Sequence, residues 1–264
     1  MQKLKNIVLI GGGHCNCQVL KMVKRDLKAL NIKAKMTLVT EAPLSYYSGM
    51  LPGASSRKIN ESDCSIELYT DDDIKVHLEP LADWCGAEYV EKRVHKIDAD
   101  KNTLVFEDGE TMGYDVLGVN VGSRTRGADD IKGVWEHSLT TRPINELLGK
   151  IQNKEDYLIK NQITPTVAVC GAGAAGIELS FAFKNRWSKI FKKNVKTYLL
   201  SSESDIMKQE SDAARELVKA KLREHDIEIV TNARIECIEE DGVVLKDGRK
   251  VACNVPVWAT GAEA

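Results

Sequence analysis

Asn6-Ile7-Val8-Leu9-Ile10-Gly11-Gly12-Gly13-His14-Cys15-Asn16-Cys17-Gln18-Val19-Leu20 is the stretch that decides how this chain is read. Ile7-Val8-Leu9-Ile10 is a short aliphatic, β-branched run, the composition of a buried strand. Three glycines follow at once, and residues 18–23 carry an apolar face at helical spacing. Strand, glycine turn and helix in immediate succession point to a dinucleotide site. Glycine lets the backbone turn tightly and approach a pyrophosphate, while the helix N-terminus offers unpaired N–H groups and a positive dipole end. The pattern G-x-G-x-x-G is met at Gly11 and Gly13 and broken at its third position, Asn16.

A second copy strengthens the reading. Residues 166–170, TVAVC, form another apolar run. Gly171-Ala172-Gly173-Ala174-Ala175-Gly176 is the complete pattern, and residues 177–183 continue as a helix. The two units lie about one domain's length apart and predict two dinucleotide sites. The bland alternative, ordinary βα turns that favour glycine, accounts for one copy more easily than for two.

Composition bounds the class. With 264 residues, 43% hydrophobic and 29% charged, the chain reads as one or two globular domains. A net charge of -2 and no long basic tract exclude nucleic acid as an expected partner. No apolar run approaches the ~20 residues of a membrane span. The first strand begins by about residue 6 and leaves no room for a cleaved signal. Seven cysteines without framework spacing suit a reducing compartment. The expected location is cytoplasmic, or peripheral on an inner membrane face.

Between the two glycine turns, residues 34–40 predict a second strand. An acid near such a strand's end holds ribose hydroxyls; Glu41 is the nearby candidate, and a solvated loop charge is its alternative. Residues 43–53, PLSYYSGMLPG, form an irregular loop able to line a flat ring or simply to pack on the surface. Residues 62–69 suggest a helix entry. Asp71-Asp72-Asp73 reads as a solvated turn rather than a metal site, because no further ligand follows at loop spacing. Residues 88–98 alternate as one strand, a meander follows through Asp108-Gly109, and residues 116–123 predict a buried strand. Residues 143–152 predict a helix, and 153–165 a polar connector.

After the second glycine turn, residues 195–200 predict a strand ending at Ser201-Ser202-Glu203-Ser204. An NAD site commonly has an acid at the first of these positions, and an NADP site a nearby Arg. Ser201 is the candidate there, with Glu203 close by. The lack of an Arg directly after Leu200 leans towards NADH. Ser211-Asp212 opens an amphipathic helix through residue 225. Short strands at 227–230, 234–238, 243–245 and 251–255 are separated by Asp241-Gly242 and Asp247-Gly248 turns.

Together these motifs resemble the pyridine nucleotide-disulfide oxidoreductase superfamily of two-dinucleotide flavoproteins. GGGHCNCQVL, YYSGMLPG, DVLGVNVGS and TTRPI resemble its type II NADH dehydrogenase-like members, nearest the branch also found fused ahead of selenide, water dikinase. The resemblance covers essentially the whole chain. It implies an α/β fold of two Rossmann-like three-layer domains with a β-meander in each. An FAD domain (residues 1–142 and 251–264) would be interrupted by an NAD(P)H domain (143–250). Gly11, Gly12, Gly13, His14, Asn16, Glu41 and the Gly122-Ser123 turn would hold FAD, with Val94 near the adenine through its backbone and Tyr47-Ser48-Gly49 near the flavin. Gly171, Gly173, Ala174, Ala175, Gly176 and Ser201 would hold NAD(P)H, with Glu178 and the Thr260-Gly261 turn towards the nicotinamide. Hydride passes from nicotinamide to flavin and on, typically, to a quinone-like acceptor.

The chain departs from that pattern at Asn16, at Glu41, and at its end. The family continues into a Gly-Asp that holds the flavin's sugar-phosphate chain and then into a C-terminal domain, neither of which precedes Ala264. Membrane contact is expected only through that part, and a homodimer is left open. No C-x-x-C or C-x4-C pair is present, so a dithiol mechanism is disfavoured. Cys15 and Cys17 lie two apart and diverge on a helix. His14 reads as a loop-packing residue before a base or ligand. No catalytic side chain and no metal ligand is assigned. The competing reading is a non-catalytic nucleotide-binding or regulatory module of a larger, selenophosphate-linked protein.

Overall fold

The computed structural model describes residues 4–29, 33–56 and 72–263. The chain divides into two compact units, Met1–Tyr47 with Lys75–Gly122, and Ser48–Ile74 with Ser123–Ala264.

In the first unit, strand β1 (Lys5–Ile10) leads through the glycine turn into helix α1 (His14–Ala29) and returns in β2 (Ala34–Thr40). Helix α2 (Leu78–Cys85) ends on Gly86 in the left-handed conformation, the usual helix stop. Strand β3 (Glu88–Glu91) completes one edge of the sheet. A meander follows: β4 (Val94–Asp98), β5 (Thr103–Phe106) and β6 (Thr111–Gly113). Strand β7 (Val116–Val119) then returns beside β1. The sheet order is β3-β2-β1-β7, all parallel. The period-two alternation of β1 sends Leu9 to a core with Leu20, Leu38, Leu78 and Ala82. It sends Val8 and Ile10 to another with Val39, Leu104 and Phe106 of the meander. Helices thus cover one face and the meander the other.

The second unit repeats the plan. Strand β8 (Leu139–Thr140) and helix α3 (Ile144–Lys160) precede β9 (Thr166–Cys170). Helix α4 (Ala174–Phe191), β10 (Lys196–Leu200), α5 (Asp212–Glu224) and β11 (Ile227–Val230) follow. The Ser211 hydroxyl accepts from Ala214 N–H at 3.3 Å and caps α5. A second meander runs through β12 (Ile235–Glu239), β13 (Gly242–Leu245) and β14 (Lys250–Ala252), before β15 (Val255–Trp258). The sheet order is β8-β15-β9-β10-β11, again all parallel. Ala168 and Cys170 of β9 pack with Ile238, Val243 and Leu245 of the meander, so Val169, pointing the other way, meets α4.

Four sequence expectations are corrected. Residues 88–98 are two strands in two sheets, because the chain leaves the parallel sheet at Lys92-Arg93 and enters the meander. Residues 116–123 are not a buried strand: β7 ends at Val119 on the sheet edge, and Val116, Val119 and Val121 are exposed. Residues 153–160 are helix rather than connector, because Leu147, Ile151, Glu155 and Leu158 continue one buried face. Residues 251–255 are the end of one strand and the start of another. Strand β15 lies between β8 and β9, and residues 251–264 group with the second unit. The expected helix entry at 62–69, together with Asp71 and Cys64, lies outside the described residues.

Candidate dinucleotide sites

Each glycine turn is shaped by what surrounds it. Gly11 has φ +83°, a conformation side chains rarely adopt, and a Cβ there would run into the Asn120 carbonyl. A Cβ on Gly12 would meet the Leu78 side chain, and one on Gly13 the Asn120 side chain. The loop after β7, residues 120–122, is therefore packed onto this turn. Asn120 Oδ1 accepts from Cys15 N–H at 3.1 Å. The amides of Gly12, Gly13, His14 and Asn16 donate to nothing among the described residues. Four open donors at the positive end of a 16-residue helix suit a pyrophosphate.

Asn16 takes the place of the third glycine with a different job. It is buried, and its Nδ2 donates to the carbonyls of Ile10 and Gly11, both at 2.8 Å. Its amide nitrogen is spent on tying the turn to the helix, which leaves the backbone N–H as the donor that Asn16 can offer a ligand. The Cys17 thiol adds a contact to Gly12 O at 3.3 Å, and burial raises its pKa. His14 is exposed with its ring tilted against Tyr47 at 5.0 Å. Glu41 stands just beyond β2 and pairs with Arg93 at 3.2 Å. Val94 opens β4 opposite Phe106. Gly122 has φ +82° with open space where a Cβ would be.

The second turn divides its labour among three glycines. Gly171, at φ +118°, would drive a Cβ into the Ala259 carbonyl, so the segment after β15 lies against it. A Cβ on Gly176 would strike the Gly171 carbonyl, so this glycine permits close helix-to-strand packing. Gly173 has nothing within 4 Å of that position and an ordinary φ of -82°. Its freedom is not required by the protein and is open to an approaching ligand. The amides of Ala172, Gly173, Ala174, Ala175 and Gly176 make no hydrogen bond among the described residues. These are the physical features that a dinucleotide site needs: open donors, a helix dipole and an uncovered backbone.

Around it, Gly261 O accepts from Arg126 N–H at 2.7 Å, and the Thr260 hydroxyl donates to Arg126 O at 2.5 Å. Glu178 is exposed on the first turns of α4. Ser201 is buried, donates to Asp205 O at 2.8 Å and accepts from Glu203 N–H, which folds the loop after β10. Its hydroxyl is engaged in that loop. Ser48 and Gly49 lie in a short 3-10 turn of the second unit, and Ser123 is exposed at the start of that unit's long segment. A cavity of about 480 Å³ opens beyond β10, lined in part by Ser202, Lys208, Arg234 and Lys246. Sequence reasoning missed Asn120, Arg234 and Lys246, because they come from chain far removed from the turns they face.

Among the described residues no three His, Cys, Asp or Glu side chains cluster as metal ligands, and no helix is long and apolar enough to cross a membrane. Comparison with known proteins agrees with this architecture. The profile of the pyridine nucleotide-disulphide oxidoreductases matches residues 5–264. The NADH dehydrogenase-like protein YutJ of Bacillus subtilis (strain 168) is 23% identical over 98% of this chain and 66% of its own length. The sulfide-quinone reductase of Aquifex aeolicus (strain VF5) is 24% identical over 92% of this chain and 54% of its own. Among solved structures, NDH2 from Plasmodium falciparum in complex with NADH superposes with a TM-score of 0.76 at 15% identity. That match covers 98% of this chain and 55% of that one. The chain thus spans between about half and two thirds of the length of these relatives. A match over almost the full chain, on a fold of two βα units that each open on a glycine turn, places this protein in the pyridine nucleotide-disulphide oxidoreductase family.

Proposed function

We propose that this chain is the nucleotide-binding body of an FAD-dependent NAD(P)H oxidoreductase that hands electrons to a quinone-like acceptor. The observation that carries the reading is the second cradle, where Gly173 is uncovered and five consecutive amides point at no protein partner. The first cradle fits FAD through the open amides of Gly12, Gly13, His14 and Asn16. Residues 1–122 would then serve mainly FAD and residues 123–264 mainly NAD(P)H. FAD, when bound, supplies the centre that accepts hydride from the nicotinamide. The protein's part is to bind, orient and electrostatically support the two nucleotides. Helix α1 and helix α4 each set a positive dipole end against a pyrophosphate. Glu41 offers a carboxylate at the end of β2 for ribose hydroxyls, held at present by Arg93. No side-chain nucleophile is required. The sulfide-quinone reductase name of one relative supports a quinone-like acceptor, and the NADH dehydrogenase-like name of another supports NADH oxidation.

A visible absorption spectrum tests this. Protein supplied with FAD should show a bound-flavin band after gel filtration, and anaerobic NAD(P)H should bleach it. Bound flavin that neither NADH nor NADPH bleaches would point to a nucleotide-binding module without catalysis.

A further inference from the structure

The cavity beyond β10 bears on which nicotinamide nucleotide is used. In this fold the loop after the second strand faces the adenosine ribose, where an acid selects NAD and a cation selects the 2′-phosphate of NADP. The cavity adjoins the second cradle: Gly171 N–H donates to Leu200 O at 3.0 Å, and Met207 N–H to Ala172 O at 3.4 Å. One wall is the loop itself, with Ser202, Ser204 and Lys208. The other wall comes from the second meander. Asn232 N–H donates to Glu203 O at 2.8 Å and Ala233 N–H to Ser201 O at 2.7 Å, fixing the entry to β12 against the loop. Lys246 N–H donates to Arg234 O at 2.8 Å, which sets the two cations side by side.

The charges are unevenly matched. Glu203, the acid that would favour NAD, is paired with Lys208 at 2.9 Å. Asp247, also on the cavity, is paired with Arg249 at 2.8 Å. Arg234 and Lys246 face the same cavity and form no ion pair among the described residues. Glu203 feels the charge of Arg234 as well as that of Lys208, but two adjacent cations that no acid ion-pairs among the described residues, flanked by two serine hydroxyls, match a phosphate monoester dianion. A bare ribose diol asks for acceptors instead.

We propose that Arg234 and Lys246, with Ser202 and Ser204, form a 2′-phosphate subsite, so that the preferred reductant is NADPH. This rests on the proposed nucleotide role of the second cradle. It reverses the lean towards NADH drawn from the residues just after Leu200, because the cations arrive from chain more than thirty residues further on.

Calorimetry on the intact chain separates the alternatives, using adenosine 2′,5′-bisphosphate, adenosine 5′-monophosphate and inorganic phosphate as probes. The bisphosphate should bind at least tenfold tighter than the monophosphate and than phosphate alone. The double variant Arg234→Ala/Lys246→Ala should erase that preference while melting within a few degrees of wild type, since both side chains are exposed. Equal or tighter binding of the monophosphate would overturn the subsite and leave the nucleotide cradle standing. So would a preference that survives in the double variant. Inorganic phosphate binding as tightly as the bisphosphate would mean an anion patch only, and would overturn it too. Binding of neither nucleotide would remove both the subsite and the cradle on which it rests.

Discussion

Residues in the two turns that look alike in sequence are held by different forces. Gly13 and Gly173 occupy the same place in the motif, yet a side chain at the first would collide with Asn120, and at the second with nothing. Substitution at Gly13 therefore disturbs the protein as well as any ligand, and Gly173→Val is the clean probe. It should keep the wild-type melting temperature and lose nicotinamide-nucleotide binding by calorimetry. By contrast, Gly176→Ala pushes a methyl against the Gly171 carbonyl and should cost about 1–3 kcal/mol in urea unfolding. Asn16→Ala strips hydrogen bonds from two carbonyls in and beside the turn, one of those bonds fully buried, and should cost about 2 kcal/mol by the same measurement. An unchanged midpoint for Asn16→Ala would mean that the side chain is not what ties the turn. The motif spacing is legible from the sequence at this scale. The reason for each position is not, because Asn120 and Ala259, which crowd the glycines, lie far along the chain.

Elements were readable where their signal is local. The ends of β2, β9 and β11 agree with the apolar runs that mark them, and Ser211 caps α5 where a serine before an acidic first turn suggests. The sequence reads residues 153–165 as a polar connector, although helix α3 runs to Lys160, and Glu155 is among the residues counted polar there. It is instead buried, accepting from Arg186 Nε at 2.6 Å, Arg186 Nη2 at 3.0 Å and Trp187 Nε1 at 3.0 Å. The partners lie on α4, more than thirty residues away, so no spacing rule reveals them. Removing one member leaves a buried charge without its mate. Glu155→Ala should therefore lower unfolding stability by about 3–5 kcal/mol, a loss read from the shift of the denaturant midpoint. Strand β7 departs from its sequence expectation for the complementary reason. Its composition is that of a buried strand, but among the described residues only one of its edges is paired, and composition does not state position in a sheet.

For the molecule as a whole, two buried thiols set an alkaline limit. Burial pushes Cys253 up to about 12 and holds Cys170 well above its ordinary value. The folded state thus keeps protons that the unfolded chain gives up near pH 9. Folded-state pKa values above the unfolded ones mean stability that is full below about pH 8 and falls as pH rises towards 12. Between about pH 9 and 12 the folding constant should drop by up to roughly tenfold per pH unit on account of Cys253, with Cys170 acting in the same direction. Cys253→Ala should flatten the slope of stability against pH; an identical slope would show that other groups govern it. The doubled α/β plan itself was the most legible feature, since each βα unit announces itself through strand, glycines and helix. The division of labour between the two halves follows from long-range packing and rests on the proposed function. Its most direct test is flavin reduction by Gly173→Val in protein supplied with FAD, followed anaerobically by visible absorption. The variant should hold as much flavin as wild type and fail to be bleached by NADH or NADPH. Bleaching at the wild-type rate, or loss of flavin together with reduction, would contradict two separate nucleotide sites working in series.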